Sequence, residues 1–218
     1  MTKTEEKRGK AALVLQESEE KYRILFENMA QGVFYQRADG ALIDVNPPAL
    51  KLFGLTRSQF LKRTLHSPQW RVIREDGSRC PEEERPSMIA LKTGKPVRNK
   101  RLGVYNPLRK DYVWLNINAI PLFRTGEKKP YQTLVTLHDI TERKQAEQKI
   151  LTSEARYREL FDHINSGVAV YEAVNNGRDF IFRDFNQAAQ RIEKINKKTL
   201  IGKSVLQVFP GVKEFGLF

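Results

Sequence analysis

From Tyr112 to Leu122 the residues alternate: Val113, Leu115, Ile117 and Ala119 fall on one side, Trp114, Asn116, Asn118 and Ile120 on the other. A period of two is that of a β-strand, here with two partly apolar faces. Val97–Tyr105 and Tyr131–Leu137 predict strands before and after it, separated by the turn-rich stretches Asn106–Asp111 and Arg124–Pro130. Upstream the period changes. Ala11–Met29 spaces its apolar residues by three and four and predicts a helix, ended by Gly32. Val33–Arg37 and Ala41–Val45 predict a hairpin turned on the two residues Asp39-Gly40. Asn46-Pro47-Pro48 opens a capped helix whose apolar side carries Leu52 and Phe53 and which Gly54 stops. Further helical turns at Thr56–Leu61 and Pro86–Thr93, and a small hairpin over Trp70–Cys80, lead to the three strands. This order predicts an α+β domain, a five-stranded antiparallel sheet with short helices on one face.

Past the last strand, Thr141 is placed to cap a helix, with Glu142 at the positive end of its dipole. Ala146, Ile150, Ser153, Tyr157, Leu160 and Ile164 then recur at spacings of four and three, a heptad seam that needs a partner helix. The chain repeats itself here. SEARYRELFDHINSGV at Ser153–Val168 aligns without gaps on SEEKYRILFENMAQGV at Ser18–Val33, and the matching seam is Ala11, Leu15, Ser18, Tyr22, Leu25 and Met29. Val168–Val174, Asn176-Gly177, Asp179–Phe185 and Asn186–Ile195 retrace the first hairpin and helix, with DFN at Asp184–Asn186 matching DVN at Asp44–Asn46. A repeat this long predicts tandem domains. The expected segments are an amphipathic linker helix (1–17), a first domain (18–141), a helical linker (142–156) and a partial second domain (157–218). Two strands alone bury too little apolar surface to stand by themselves, so the second copy is expected to be incomplete, a fragment or a piece completed by another chain.

The net charge of +12 raises the question of nucleic acid. Its distribution answers against a strong signal: six bases meet six acids in 1–30, nineteen meet eleven in 31–142, and thirteen meet nine in 143–218. Clusters such as Lys62-Arg63 and Arg98–Arg101 read as solvated surface, with DNA or acidic lipid as a secondary partner. No apolar run reaches the length of a membrane span, and the one cysteine, Cys80, fits a reducing compartment, so a cytoplasmic location is expected. No phosphate-binding glycine loop, GxSxG or HExxH is present, and His66, His138 and His163 lack ligand spacing with Cys80. Neither an enzyme nor a metal site is expected.

The strings YRILFENMAQGVF, DVNPPALKLFG, KDYVWLNINAIPL and HDITERKQAE, in this order across Ser18–Glu147, resemble the PAS-domain family. The resemblance implies a cavity between sheet and short helices, with Tyr35, Leu52, Phe53, Met88, Leu91, Trp114, Asn116 and Asn118 as candidate lining. The alternative is that the apolar members fill the core and the asparagines face water. Haem is disfavoured because Glu84–Thr93 holds no histidine, and a flavin adduct because Cys80 lies in no NCRFLQ-like helix; a non-covalent small ligand remains open. Asp139, Ile140, Thr141 and Arg143 resemble the family's output junction, Asp139 pairing with Arg143 or another nearby base. The implied protein is a sensory module that dimerises through its linker helices. Its expected output domain is a histidine kinase, with a diguanylate cyclase, a transcriptional regulator or a stand-alone adaptor as alternatives.

Overall fold

The computed structural model describes residues 3–64 and 66–215, and of 3–9, 11 and 213–215 the backbone alone. The outermost residues of the expected segments 1–17 and 157–218 therefore lie outside the description, as does the side chain of the seam residue Ala11. The chain divides into two compact units, Met1–Gln145 and Ala146–Phe218.

In the first unit, helix α1 (Lys3–Asn28) precedes strands β1 (Gly32–Arg37) and β2 (Leu42–Val45), then α2 (Pro47–Phe53) and α3 (Arg57–Leu61). Strand β3 (Val72–Ile73), helix α4 (Pro86–Thr93) and strands β4 (Val97–Asn106), β5 (Asp111–Leu122) and β6 (Gln132–Asp139) follow. The sheet order is β2-β1-β6-β5-β4-β3, antiparallel throughout. The five expected strands are joined by a two-residue sixth, because the hairpin over Val72–Cys80 pairs its first arm with β4 at Val72↔Val104. The turn between β1 and β2 differs from expectation. Arg37 N donates to Ala41 O across three residues, and Gly40 takes φ +87°, so glycine serves a three-residue loop.

Apolar residues of β1, β4, β5 and β6 that share a face pack under α2, α3 and α4. At the centre Phe34, Phe53, Phe60 and Trp70 meet mostly edge to face, at centroid distances of 5.3–6.1 Å. Helix α2 is pinned at both ends by buried asparagines. Asn46 Oδ1 accepts from Ala49 N at 3.0 Å, and Asn106 Nδ2 donates to Lys51 O and Leu52 O at 3.0 Å each.

Helix α5 (Thr141–His163) is continuous and belongs in part to each unit. In the second unit, β7 (Ala169–Val174) and β8 (Asp179–Phe185) form a two-stranded sheet, followed by α6 (Gln187–Glu193), α7 (Lys197–Leu200) and α8 (Val205–Val208). The expected helix to Ile195 stops at Glu193, where Lys194 turns left-handed at φ +53°. Phe182, Phe185, Ala189, Leu200 and Val205 make a small core.

The repeat in sequence is a repeat in bonding. Asn46 Oδ1 also accepts from Val33 N at 2.8 Å, while its Nδ2 donates to Phe26 O and Gln31 O at 3.0 and 2.9 Å. Asn186 accepts from Val168 N and Ala189 N and donates to Phe161 O and Ser166 O, at 2.8–3.0 Å. All four hydrogen-bonding positions of each amide are filled, so each asparagine ties the end of a preceding helix to a strand and to the next helix. Gly32 and Gly167 permit this closure, since a Cβ at either would press on the Cα of Ala49 or Ala189, at 3.0 and 3.2 Å.

Candidate functional site

Two places in the first unit bring polar groups to the start of a helix: the core under α4 and the start of α5. The core holds a cavity of about 60 Å³, lined by Phe34, Phe53, Phe60, Trp70 and Leu137 among others, with Arg85, Pro86 and Ser87 at the start of α4. That is far below the few hundred Å³ of a drug-sized pocket, and suits an occupant of a few heavy atoms. Burial lowers the pKa of the Arg85 guanidinium from its ordinary value.

The candidate lining residues do not form one wall. Phe53 lines the cavity, Leu52 is buried in the same core, and Met88 Sδ accepts from Gln36 Nε2 at 3.7 Å. Leu91 is half-buried on α4. Trp114, Asn116 and Asn118 turn to the opposite face of β5, because Val113, Leu115, Ile117 and Ala119 take the buried one. Tyr35 likewise leaves the core to Phe34 and meets the ring of Phe26 at 6.1 Å. The asparagines have work on that outer face. Asn118 Oδ1 accepts from Asn99 N at 2.8 Å and its Nδ2 donates to Thr136 Oγ1 at 3.2 Å, while Asn116 Nδ2 donates to Asn99 Oδ1 at 3.2 Å. They brace the bulge in β4 where the register shifts between Val97 and Lys100 and Asn99 takes φ +54°.

At the junction β6 gives way to α5 beside Trp114. Ile140 N donates to Trp114 O at 2.8 Å, continuing the ladder one rung past Leu115↔Asp139. Thr141 is the first helical residue and not the cap: its Oγ1 accepts from Trp114 N at 3.0 Å, and its own N donates to Asp139 Oδ1 at 2.9 Å. Arg109, from the β4–β5 turn, lies 3.9 Å from Asp139, and Arg143 is exposed on α5. One turn on, Lys144 lies 5.3 Å over the Trp114 ring and pairs with Glu75, which also faces Arg101 at 3.8 Å. Sequence reasoning missed Glu75, Arg109 and Lys144 as junction residues. Nothing local marks them, since their partners lie up to some seventy residues away.

The seam residues Leu15, Tyr22, Leu25 and Met29 on α1 are exposed, as are Ile150, Tyr157, Leu160 and Ile164 in the second copy. Burial pushes the Cys80 thiol up, away from thiolate chemistry. Among the described residues no group of three or more potential metal ligands gathers, and no helix is long and apolar enough to cross a membrane.

The pattern described as PAS domain matches residues 30–142, and a second pattern of the same description matches 155–211. No curated protein matches the chain in sequence. Among solved structures, a domain of a sensory box sensor histidine kinase/response regulator from Geobacter sulfurreducens shares 21% identity, over 57% of this chain and 96% of that one, with a TM-score of 0.37. The PAS domain of a Colwellia psychrerythraea protein shares 13% identity, over 56% and 97%, with a TM-score of 0.44. An RNA-binding light-oxygen-voltage receptor shares 15%, over 65% and 38%, at 0.47.

Proposed function

This chain belongs to the PAS domain family, and we propose that it is a cytoplasmic sensory region that takes a small ligand in its first core and relays the change through α5. Its output is a downstream domain, that of a sensor histidine kinase, and two copies of the chain pair through the heptad seams. The observation that carries this reading is the pair of hydrogen bonds that tie Trp114 to the start of α5: its O accepts from Ile140 N, and its N donates to Thr141 Oγ1. A change of register or tilt in β5 pulls on the start of that helix through these two bonds. Pairing is supported by two seams in the same heptad register, both exposed.

Sedimentation equilibrium tests the pairing. The chain is expected to be a dimer, and Ile150→Glu with Leu160→Glu to be a monomer of unchanged circular dichroism. A monomeric wild-type chain over the accessible concentration range sinks the pairing. Hydrogen exchange tests the relay: Phe60→Leu, which alters the core, is expected to change the protection of residues 141–147, and unchanged protection there defeats it.

A further inference from the structure

The cavity accounts for the apolar side of the first core, and the rung beside it is polar and unsatisfied. Gln36 on β1 stands opposite Thr133 on β6, and both are fully buried. Gln36 Oε1 and Thr133 Oγ1 have no hydrogen-bond partner among the described residues. Gln36 Nε2 meets a weak acceptor, Met88 Sδ, at 3.7 Å. Leucine and valine would fill these positions without leaving buried oxygens unpaired, so the two polar side chains are a cost that calls for a partner. The next rung on the same face is Phe34 opposite Val135, and both of these line the 60 Å³ cavity. Helix α4 covers the two together, with Pro86 and Ser87 at the cavity and Met88 at Gln36.

The missing partner has to donate. The amide oxygen of Gln36 only accepts, while the Thr133 hydroxyl can donate to or accept from the same group. An anion has no donor for Gln36 Oε1 and would meet its lone pairs, and a cation would meet the Arg85 guanidinium and no carboxylate among the cavity's lining residues. At roughly 10–15 Å³ for each water-sized occupant the cavity takes about four to six, room for a short carbon chain and not for a large ring system. We propose that Gln36 and Thr133 are the polar end of a ligand subsite. It takes the O–H or N–H of a small uncharged molecule whose apolar part, a few carbon atoms, occupies the cavity beside Phe34. This rests on the reading that the first core binds a ligand at all, and the test separates the two.

1-Butanol and diethyl ether are isomers, and the alcohol alone carries a donor. Each is titrated into the full chain while the Met88 methyl and the Gln36 and Thr133 amide resonances are followed. The wild-type chain is expected to bind the alcohol about fivefold more tightly than the ether, the worth of one net hydrogen bond. The preference is expected to vanish in Gln36→Leu and in Thr133→Val, the second preserving side-chain shape should the first fail to fold. Equal binding of both isomers by the wild-type chain, or a preference that survives Thr133→Val, overturns the polar subsite and leaves the ligand reading standing. No shift with either isomer overturns both.

Discussion

Thr141 completes the sheet with its side chain. The carbonyl that would accept from Trp114 N on the last rung of β5 and β6 is that of Ile140, and this carbonyl has turned to accept from Lys144 N at 2.9 Å as the helix begins. The Thr141 hydroxyl takes its place, 3.0 Å from Trp114 N. Thr141→Val keeps the shape and removes the acceptor. It is expected to cost about 1 kcal/mol locally and to speed exchange of the Trp114 amide, while Thr141→Ser retains protection. Native-state hydrogen exchange reads this directly, and an equally protected Trp114 amide in the valine variant contradicts it.

Lys144 reaches β5 through the Trp114 ring and the β3 hairpin through Glu75. Lys144 is about a quarter exposed and Glu75 about half, so their coupling is modest. A double-mutant cycle with Glu75→Gln and Lys144→Met is expected to give about 0.5–1 kcal/mol, shrinking as salt is added. Zero coupling at low salt would show that the pair does not restrain α5.

The two buried asparagines predict equal sensitivity in the two copies. Asn46→Ala strands the N–H groups of Val33 and Ala49 and the carbonyls of Phe26 and Gln31. Loss of the cap and of these buried partners is expected to cost about 2–4 kcal/mol in urea unfolding of the first unit. Asn46→Asp keeps the outline but loses both donors, and is expected to be no better tolerated. Asn186→Ala should destabilise the second unit in the same way, and a loss under ~1 kcal/mol at either site speaks against the clamp.

The second unit should weaken in acid. Burial pushes the Asp184 carboxyl up, but its hydrogen bonds with Lys197 and Phe185 N and the charges of Lys197 and Arg158 outweigh this and hold it below the usual carboxylate range. A carboxylate with a lowered folded pKa contributes stability above its unfolded pKa and loses that contribution as pH falls through the folded value. Thermal melts of β7 and β8 followed by their amide signals are expected to decline below about pH 4, less steeply in Asp184→Asn. Identical slopes for the two proteins would remove Asp184 as the cause.

Much of the fold was legible in the residues. Alternation in Tyr112–Leu122, glycine stops at Gly54 and Gly94, and the DVN and DFN strings located strands, helices and the repeat, because each depends on neighbours within a few positions. The candidate site was legible only in part. Strand β5 offers two partly apolar faces, and nothing in its own residues says that Val113, Leu115, Ile117 and Ala119 turn inward while Trp114, Asn116 and Asn118 go outward. The choice was made by α2 and α3, which bring Phe53 and Phe60 to one side, and by α4, which adds Ala90.

The chain alone therefore determined its periods, its stops and its tandem order, properties written in side-chain spacing. Tertiary structure decided that Thr141 serves β5 from 27 residues away, that Arg109 comes beside Asp139, and that Gln36 and Thr133 share a buried rung. Those pairings depend on which strands lie side by side, and a spacing rule that sees a few neighbours at a time carries no information about that.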